Sequence, residues 1–359
     1  MLEASFFKKT FHFNFRARTS RGLMKDKTSW FIKVWDSANP AVFGLGECGP
    51  LPGLSIDATP EFENVLQDVV TRLRSVQRLG DDAIDLLPRM VPPGFPSIRM
   101  GIETAVRDLV HGGNRIIFKN SFLRGQPIAI NGLIWMDDMD IMLQQITDKI
   151  AQGYTCIKIK VGGLNFEREC DILHYVRKKY FRDQITIRLD ANGAFKTDDV
   201  LFKLTELSRF QIHSIEQPLK PGNEALEALC RKTPIPIALD EELIGVDAYE
   251  DKRKLLQRIK PQFITLKPTL HGGFLGCEQW INAANEEGIG WWITSALESN
   301  IGLNAICQFA GNFQHSIPQG LGTGLLYSDN FESPLETNRG TIFLNTKAQW
   351  LLDENSLIN

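Results

Sequence analysis

The chain has 359 residues, a formal net charge of −3, and 23% charged and 43% hydrophobic residues. That balance excludes a basic nucleic-acid-binding surface and an acidic tail, and no apolar run approaches the roughly 20 residues that cross a bilayer. The six cysteines are scattered without a Cys-x-x-Cys pair, and the opening residues lack the apolar core of a signal peptide, so the chain reads as a soluble cytoplasmic protein with reduced thiols.

The length suits about two domains, or one barrel with an added module. Residues 1–48 read as strands, because Phe11, Phe13 and Phe15 alternate with polar neighbours and a second apolar run spans 30–35. The Gly- and Pro-rich stretch 44–53 reads as a functional loop. Thr59 and Pro60 then supply an N-cap and first turn for a helix that Gly80 ends, and a second helix over 97–110 stops at Gly112 and Gly113. Strands followed by helices indicate a small α+β domain over residues 1–125.

After Pro127 the pattern changes. A strand over 128–135 and a helix over 139–152 are followed by strands at 156–161, 185–190, 212–216, 235–240, 263–267 and 290–294, with amphipathic helices between them. The spacing of roughly 24–30 residues is that of βα units. A short eighth strand at 317–320 completes a (β/α)-barrel over residues 126–324, with an open doubly wound sheet as the competing arrangement. Residues 325–359 break the pattern and are expected to pack back on the first domain.

The charges fall in a pattern. Lys158 and Lys160 lie two residues apart on one strand, so they share a face, opposite Ile157, Ile159 and Val161. Asp190, Glu216, Asp240 and Lys267 each close an apolar strand at its C-terminal end, the face on which barrel active sites sit. Three carboxylates on successive strands form an all-oxygen set that suits Mg²⁺ or Mn²⁺, and no His or Cys joins them to suggest zinc. Arg188 shares the face of Asp190, where it either meets substrate or braces an acid from below. With a divalent cation counted, positive charge is in excess, which favours a substrate with more than one negative charge. Lys160, nearer the strand end than Lys158, is the better placed base, and Lys267 faces it from across the barrel. The Gly-x-Gly-x-Gly run at 320–324 is a weak nucleotide-binding signal, since no βαβ unit with a ribose-binding acid follows.

In its order Lys-x-Lys, Asp, Glu, Asp, Lys, and over nearly the whole length, the sequence resembles the enolase superfamily in its muconate-lactonizing-enzyme subgroup. That resemblance implies a modified (β/α)7β barrel with an N-terminal α+β capping domain. It implies Mg²⁺ ligation by Asp190, Glu216 and Asp240, flanking of substrate by Lys160 and Lys267, and support of Lys160 by Lys158. Asn192 and Glu241 are implied to stand behind the ligands, and the 49–54 loop, with Leu54, to close over substrate. Within the subgroup, Arg188-Leu-Asp-Ala-Asn192, Thr294-Ser-Ala-Leu-Glu-Ser299 and Gly320-Leu-Gly-Thr-Gly324 are most similar to the o-succinylbenzoate synthases. Those enzymes dehydrate 2-succinyl-6-hydroxy-2,4-cyclohexadiene-1-carboxylate in menaquinone synthesis, so a dicarboxylate is the expected small-molecule partner, with Ser295 and the backbone near Gly322 holding its succinyl arm. N-succinylamino acid racemases and dipeptide epimerases use the same lysines and carboxylates. Dipeptide epimerases carry an Asp-x-Asp at the eighth strand, where this chain reads Leu-Gly-Thr-Gly. A barrel serving only as a scaffold would have lost a base or a ligand, and none is missing.

Overall fold

The computed structural model describes residues 1–19, 22–76, 87 and 89–352. The chain begins as a three-stranded antiparallel sheet of β1 (Leu2–Thr19), β2 (Gly22–Asp36) and β3 (Asn39–Cys48), in the order β1-β2-β3. Helices α1 (Phe62–Arg74) and α2 (Pro96–Val110) cover one face. The fit of α2 on β3 depends on glycine. A Cβ at Gly44 would lie 1.8 Å from the Ala105 carbonyl oxygen, and one at Gly46 would lie 1.9 Å from that of Gly101.

The start of α1 differs from the sequence expectation. The helix begins at Phe62, not under a Thr59 cap, and Gly80 lies outside the described residues. Thr59 uses its carbonyl to accept the Phe62 amide at 3.1 Å, while its hydroxyl is buried without a partner among the described residues. The capping role passes to Asp57, which serves the other helix: its carboxylate accepts the Ser97 amide at 2.8 Å and the Ser97 hydroxyl at 2.6 Å, at the start of α2.

The barrel follows. Strands β5 (Gly132–Ile134), β6 (Cys156–Lys160), β7 (Thr186–Asp190), β8 (Ser214–Glu216), β9 (Ile237–Leu239), β10 (Phe263–Leu266) and β11 (Gly290–Ile293) form one parallel sheet in chain order. Between them run α3 (Met139–Ala151), α4 (Phe166–Lys179), α5 (Val200–Ser208), α6 (Ala225–Lys232), α7 (Tyr249–Ile259) and α8 (Gly273–Glu286), with α9 (Asn300–Ala310) after β11. Outward apolar residues such as Ile157, Ile159, Ile187 and Leu189 pack against these helices.

The eighth strand is reduced to Gln319 and Gly320, which close the sheet through parallel bridges to Ile130 and Thr294. The Gly320 amide donates to the Ile293 carbonyl at 2.8 Å, and the Asn131 amide donates to that of Gln319 at 2.9 Å. The expected strand over 128–135 is split by this closure. Its first part, β4 (Ile128–Ala129), pairs instead with the C-terminal hairpin β12 (Leu335–Asn338) and β13 (Thr341–Leu344). Between barrel and hairpin, Tyr327 and Phe331 set their rings 5.1 and 5.7 Å from that of Phe11 on β1. No helix among the described residues is long and apolar enough to cross a membrane.

Candidate active site

At the C-terminal ends of the barrel strands, the side chains singled out in the sequence form one network. Strand alternation brings Lys158 and Lys160 to the inner face of β6. Lys158 Nζ lies 2.9 Å from Asp190 Oδ2 and is also bonded to Glu216 Oε2. Lys160 Nζ lies 2.7 Å from the same Asp190 oxygen and donates to Asn192 Oδ1 at 2.8 Å. Across the barrel, Lys267 Nζ donates to Asp240 Oδ2. Asn192 sits at φ +45, which an Asn tolerates better than most residues, and passes its amide on to Glu241 Oε1 at 2.9 Å.

The electrostatics differ from lysine to lysine. Burial depresses Lys160, aided by the charges of Lys158 and Lys267 and opposed by Asp190. Burial also works against charge on Lys158, but Asp190, Glu216 and Asp240 together carry it above the ordinary lysine value. Lys267 is likewise raised, with Asp240 and Glu241 outweighing burial. Asp190 is held well below the usual carboxylate range, its three lysine neighbours prevailing over burial. Burial, with the nearby Asp190 and Asp240, pushes Glu216 up to about 7. Of Lys158, Lys160 and Lys267, Lys160 alone is thus shifted toward the neutral form, as a base requires.

The residues present suit a hard cation. Glu216 Oε1 and Asp240 Oδ1 are buried and accept no hydrogen bond among the described residues, on neighbouring strand ends. Two such oxygens beside Asp190 match the oxygen-only donor set of Mg²⁺. Lysine ammonium groups hold the carboxylates, and among the described residues no three acidic, His or Cys side chains are gathered as a ready-made cage.

The lysines and Asp190 open into a cavity of about 860 Å³. Ser295, Gly322 and Leu54 line it, as does the rest of the 51–54 loop. Ser295 Oγ donates to the Gly320 carbonyl at 3.2 Å and accepts from Thr323 Oγ1 at 2.9 Å, so its proton is already engaged. Arg188 requires a correction: it does not line the cavity. It is fully buried below the carboxylates, with its guanidinium 4.2 Å from the Trp292 ring centre and Nη1 donating to the Pro318 carbonyl at 2.8 Å. The positive excess inferred from the sequence therefore loses one charge.

Sequence reasoning missed several supports. Gln217, at φ +36, accepts the Asp240 and Glu242 amides at 3.2 and 3.1 Å and so ties β8 to β9. His271 Nδ1 accepts the Lys267 amide at 3.0 Å, and burial lowers its ring to about 3, with Lys267 and Lys252 adding to the effect. Gln217 directly follows Glu216, which is a local signal; His271 offered none.

A capping sheet over a barrel whose strand ends carry acids and lysines places the chain among barrel enzymes. The family model described as "Enolase C-terminal domain-like" matches residues 142–348. The o-succinylbenzoate synthase of Desulfotalea psychrophila is 40% identical over 366 residues, covering 95% of this chain and 98% of that one. The crystal structure of MenC from the same organism superposes with a TM-score of 0.86 at 38% identity, covering 96% of this chain and 99% of the other. The L-Ala-D/L-Glu epimerase of Bacillus subtilis, at 17% identity, TM-score 0.81 and 95% coverage of each chain, shares the fold. The chain belongs to the enolase superfamily and, within it, to the o-succinylbenzoate synthase family.

Proposed function

We propose that this chain is a Mg²⁺-dependent, cytoplasmic lyase of menaquinone synthesis. It removes water from 2-succinyl-6-hydroxy-2,4-cyclohexadiene-1-carboxylate to give 2-succinylbenzoate. The observation that carries the reading is the placement of Lys160 and Lys267 on opposite sides of the carboxylate set, at the floor of a cavity lined by several lysines, in a chain so similar to an o-succinylbenzoate synthase.

Asp190, Glu216 and Asp240 are the residues that would hold the metal, which would supply Lewis-acid stabilisation of charge on the substrate's ring carboxylate. Lys160 takes the α-proton, and Lys267 stabilises the resulting enediolate from the other side. Protonated Lys160 then gives its proton to the departing hydroxyl if loss is syn, and aromatisation drives the step. Lys158, bonded to Asp190 and Glu216, keeps a fixed positive charge beside Lys160. Asn192 orients Lys160 and is itself held by Glu241. Leu54, Ser295 and the backbone at Gly322 wall the space for the ring and succinyl arm. Residues 1–125, with the segment after 324, act as the cap, and 126–324 as the catalytic barrel.

Two lysines facing one another also supply the two bases that racemisation needs, so N-succinylamino acids are the second substrate class to test. The test is ultraviolet detection of aromatic product from the cyclohexadiene, with an N-succinylamino acid assayed in parallel on the same preparation. No aromatic product under saturating Mg²⁺ overturns the dehydratase reading.

A further inference from the structure

The cavity wall formed by residues 295–297 contains a strained peptide. Leu297 has φ +65, a left-handed conformation that a bulky γ-branched side chain rarely adopts. Its carbonyl oxygen accepts two buried donors from outside the barrel: Lys27 Nζ at 2.8 Å, from β2, and Tyr327 Oη at 2.7 Å, from the segment after the barrel. Lys27 and Tyr327 are 4% and 5% exposed.

The surroundings fit this arrangement. Lys27 Nζ lies 3.5 Å from the Ala296 carbonyl as well, and 3.9 Å from Glu47 Oε1. Glu47 in turn accepts the Ser299 amide at 3.0 Å and the Ser299 hydroxyl at 2.6 Å. Glu298 accepts the Ala296 amide at 2.6 Å. A side chain at Gly49 would put its Cβ 2.7 Å from Lys27 Nζ, so the glycine opening the 49–54 loop leaves room for the ammonium. The left-handed turn sends the Leu297 carbonyl toward these donors and its side chain among Leu51, Leu54, Leu270 and Ala296.

We infer that Lys27 and Tyr327 are positioning residues. They hold the Leu297 peptide in its strained turn and thereby set where the 295–297 wall and the 51–54 loop meet over the cavity. Strained peptides persist only where surrounding contacts over-determine them. Here those contacts come from the capping sheet and the chain's last segment, so both control the shape of a wall that belongs to the barrel. The inference deepens the proposed function by naming what sets its substrate pocket, and it rests on that reading only for the kinetic part of the test.

Tyr327→Phe removes one hydroxyl and leaves the ring packing in place. Amide hydrogen exchange in the free enzyme should quicken at residues 295–299 and 51–55. Affinity for 2-succinylbenzoate should fall about tenfold, with KM rising in step and kcat within about threefold of wild type. Lys27→Met should act in the same direction. If burying Glu47 and Glu298 without that cation prevents folding, Tyr327→Phe alone decides. In a Leu297→Gly background, where positive φ carries no strain, Tyr327→Phe should add no further exchange. Unchanged exchange at 295–299 in Tyr327→Phe overturns the inference, as does an equal quickening in the Leu297→Gly background. Exchange requires no turnover, so an enzyme inactive on the cyclohexadiene refutes the reaction and leaves this inference to its own measurement.

Discussion

Lys158 and Lys160 reach the same carboxylate oxygen: Asp190 Oδ2 lies 2.9 Å from one ammonium and 2.7 Å from the other. Two cations on one oxygen repel each other, and burial adds to that cost for Lys160. The shared oxygen therefore links the proposed base, its neighbour and a proposed metal ligand in one electrostatic unit. Lys160→Ala is expected to lower kcat by about 10³-fold or more, as removal of a positioned base together with its field does. Substrate α-proton exchange with deuterium oxide, followed by NMR, should be lost in parallel. A near-normal rate for this variant would remove Lys160 from the role.

Metal removal should abolish activity. Incubation with EDTA should stop product formation, and Mg²⁺ or Mn²⁺ should restore it. Glu216→Ala should weaken Mg²⁺ binding, read by titration calorimetry, while circular dichroism shows the fold retained. Full turnover by metal-free enzyme would refute the assignment of Asp190, Glu216 and Asp240.

The seam of the barrel is intolerant of added volume. A Cβ at Gly320 would lie 2.0 Å from Thr294 Oγ1 and 2.6 Å from Thr294 Cβ, against the strand that Gly320 bridges. Gly320→Ala should cost about 1–3 kcal/mol of stability, the usual range for overpacking. Denaturant unfolding measures it, and an unchanged midpoint would show that the seam yields freely.

Stability should also fall as pH rises through neutrality, in part through Glu103. This carboxylate on α2 is buried against the start of α8, where it accepts the Phe274 amide at 2.7 Å. Burial raises it from 4.5 to about 7, against the pull of that amide and of Arg107. A raised acid contributes stability that is fully present below its ordinary value and is lost as pH climbs through the folded one. The interval spanned corresponds to something on the order of 3 kcal/mol. Glu103→Gln keeps an acceptor without the charge, so its Tm relative to wild type should move upward between pH 5 and pH 8. A difference independent of pH would contradict this.

Dehydration and epimerisation begin with the same proton loss and diverge afterwards. The eighth-strand segment, Gly320 to Gly324, offers no acid for a dipeptide's ammonium group. Efficient 2-succinylbenzoate formation and negligible Ala-Glu epimerisation are therefore expected, as kcat/KM for both on one preparation. Faster epimerisation than dehydration would reverse the functional reading.

The convergence of the proposed reacting residues was legible in the sequence because strand alternation and strand ends are local properties. Lys158, Lys160, Asp190, Glu216, Asp240 and Lys267 all occupy the face that two-residue periodicity assigns them. Arg188 occupies its assigned face too, but one layer deeper, and periodicity carries no information about depth along a barrel. Thr59 looked like a cap because Ser or Thr before Pro is a common helix start; Asp57 took the capping geometry for another helix. Lys27, Glu47 and Tyr327 gave no signal, since their partners lie far along the chain. The eighth strand was placed correctly but proved shorter, confined to Gln319 and Gly320 with single bridges to Ile130 and Thr294.

The lacing of β1 to the segment after the barrel has a consequence in time. The Ser328 amide donates to the His12 carbonyl at 3.0 Å, and the Asn14 amide to that of Leu326, also at 3.0 Å. Phe11 is walled by Tyr327 and Phe331. During synthesis the first strand emerges long before these partners exist, and its apolar edge stays open while the whole barrel is made. The cap leaves the ribosome before the barrel yet is completed after it, and a chain stopped short of Tyr327 would carry a finished barrel beneath an unfinished roof.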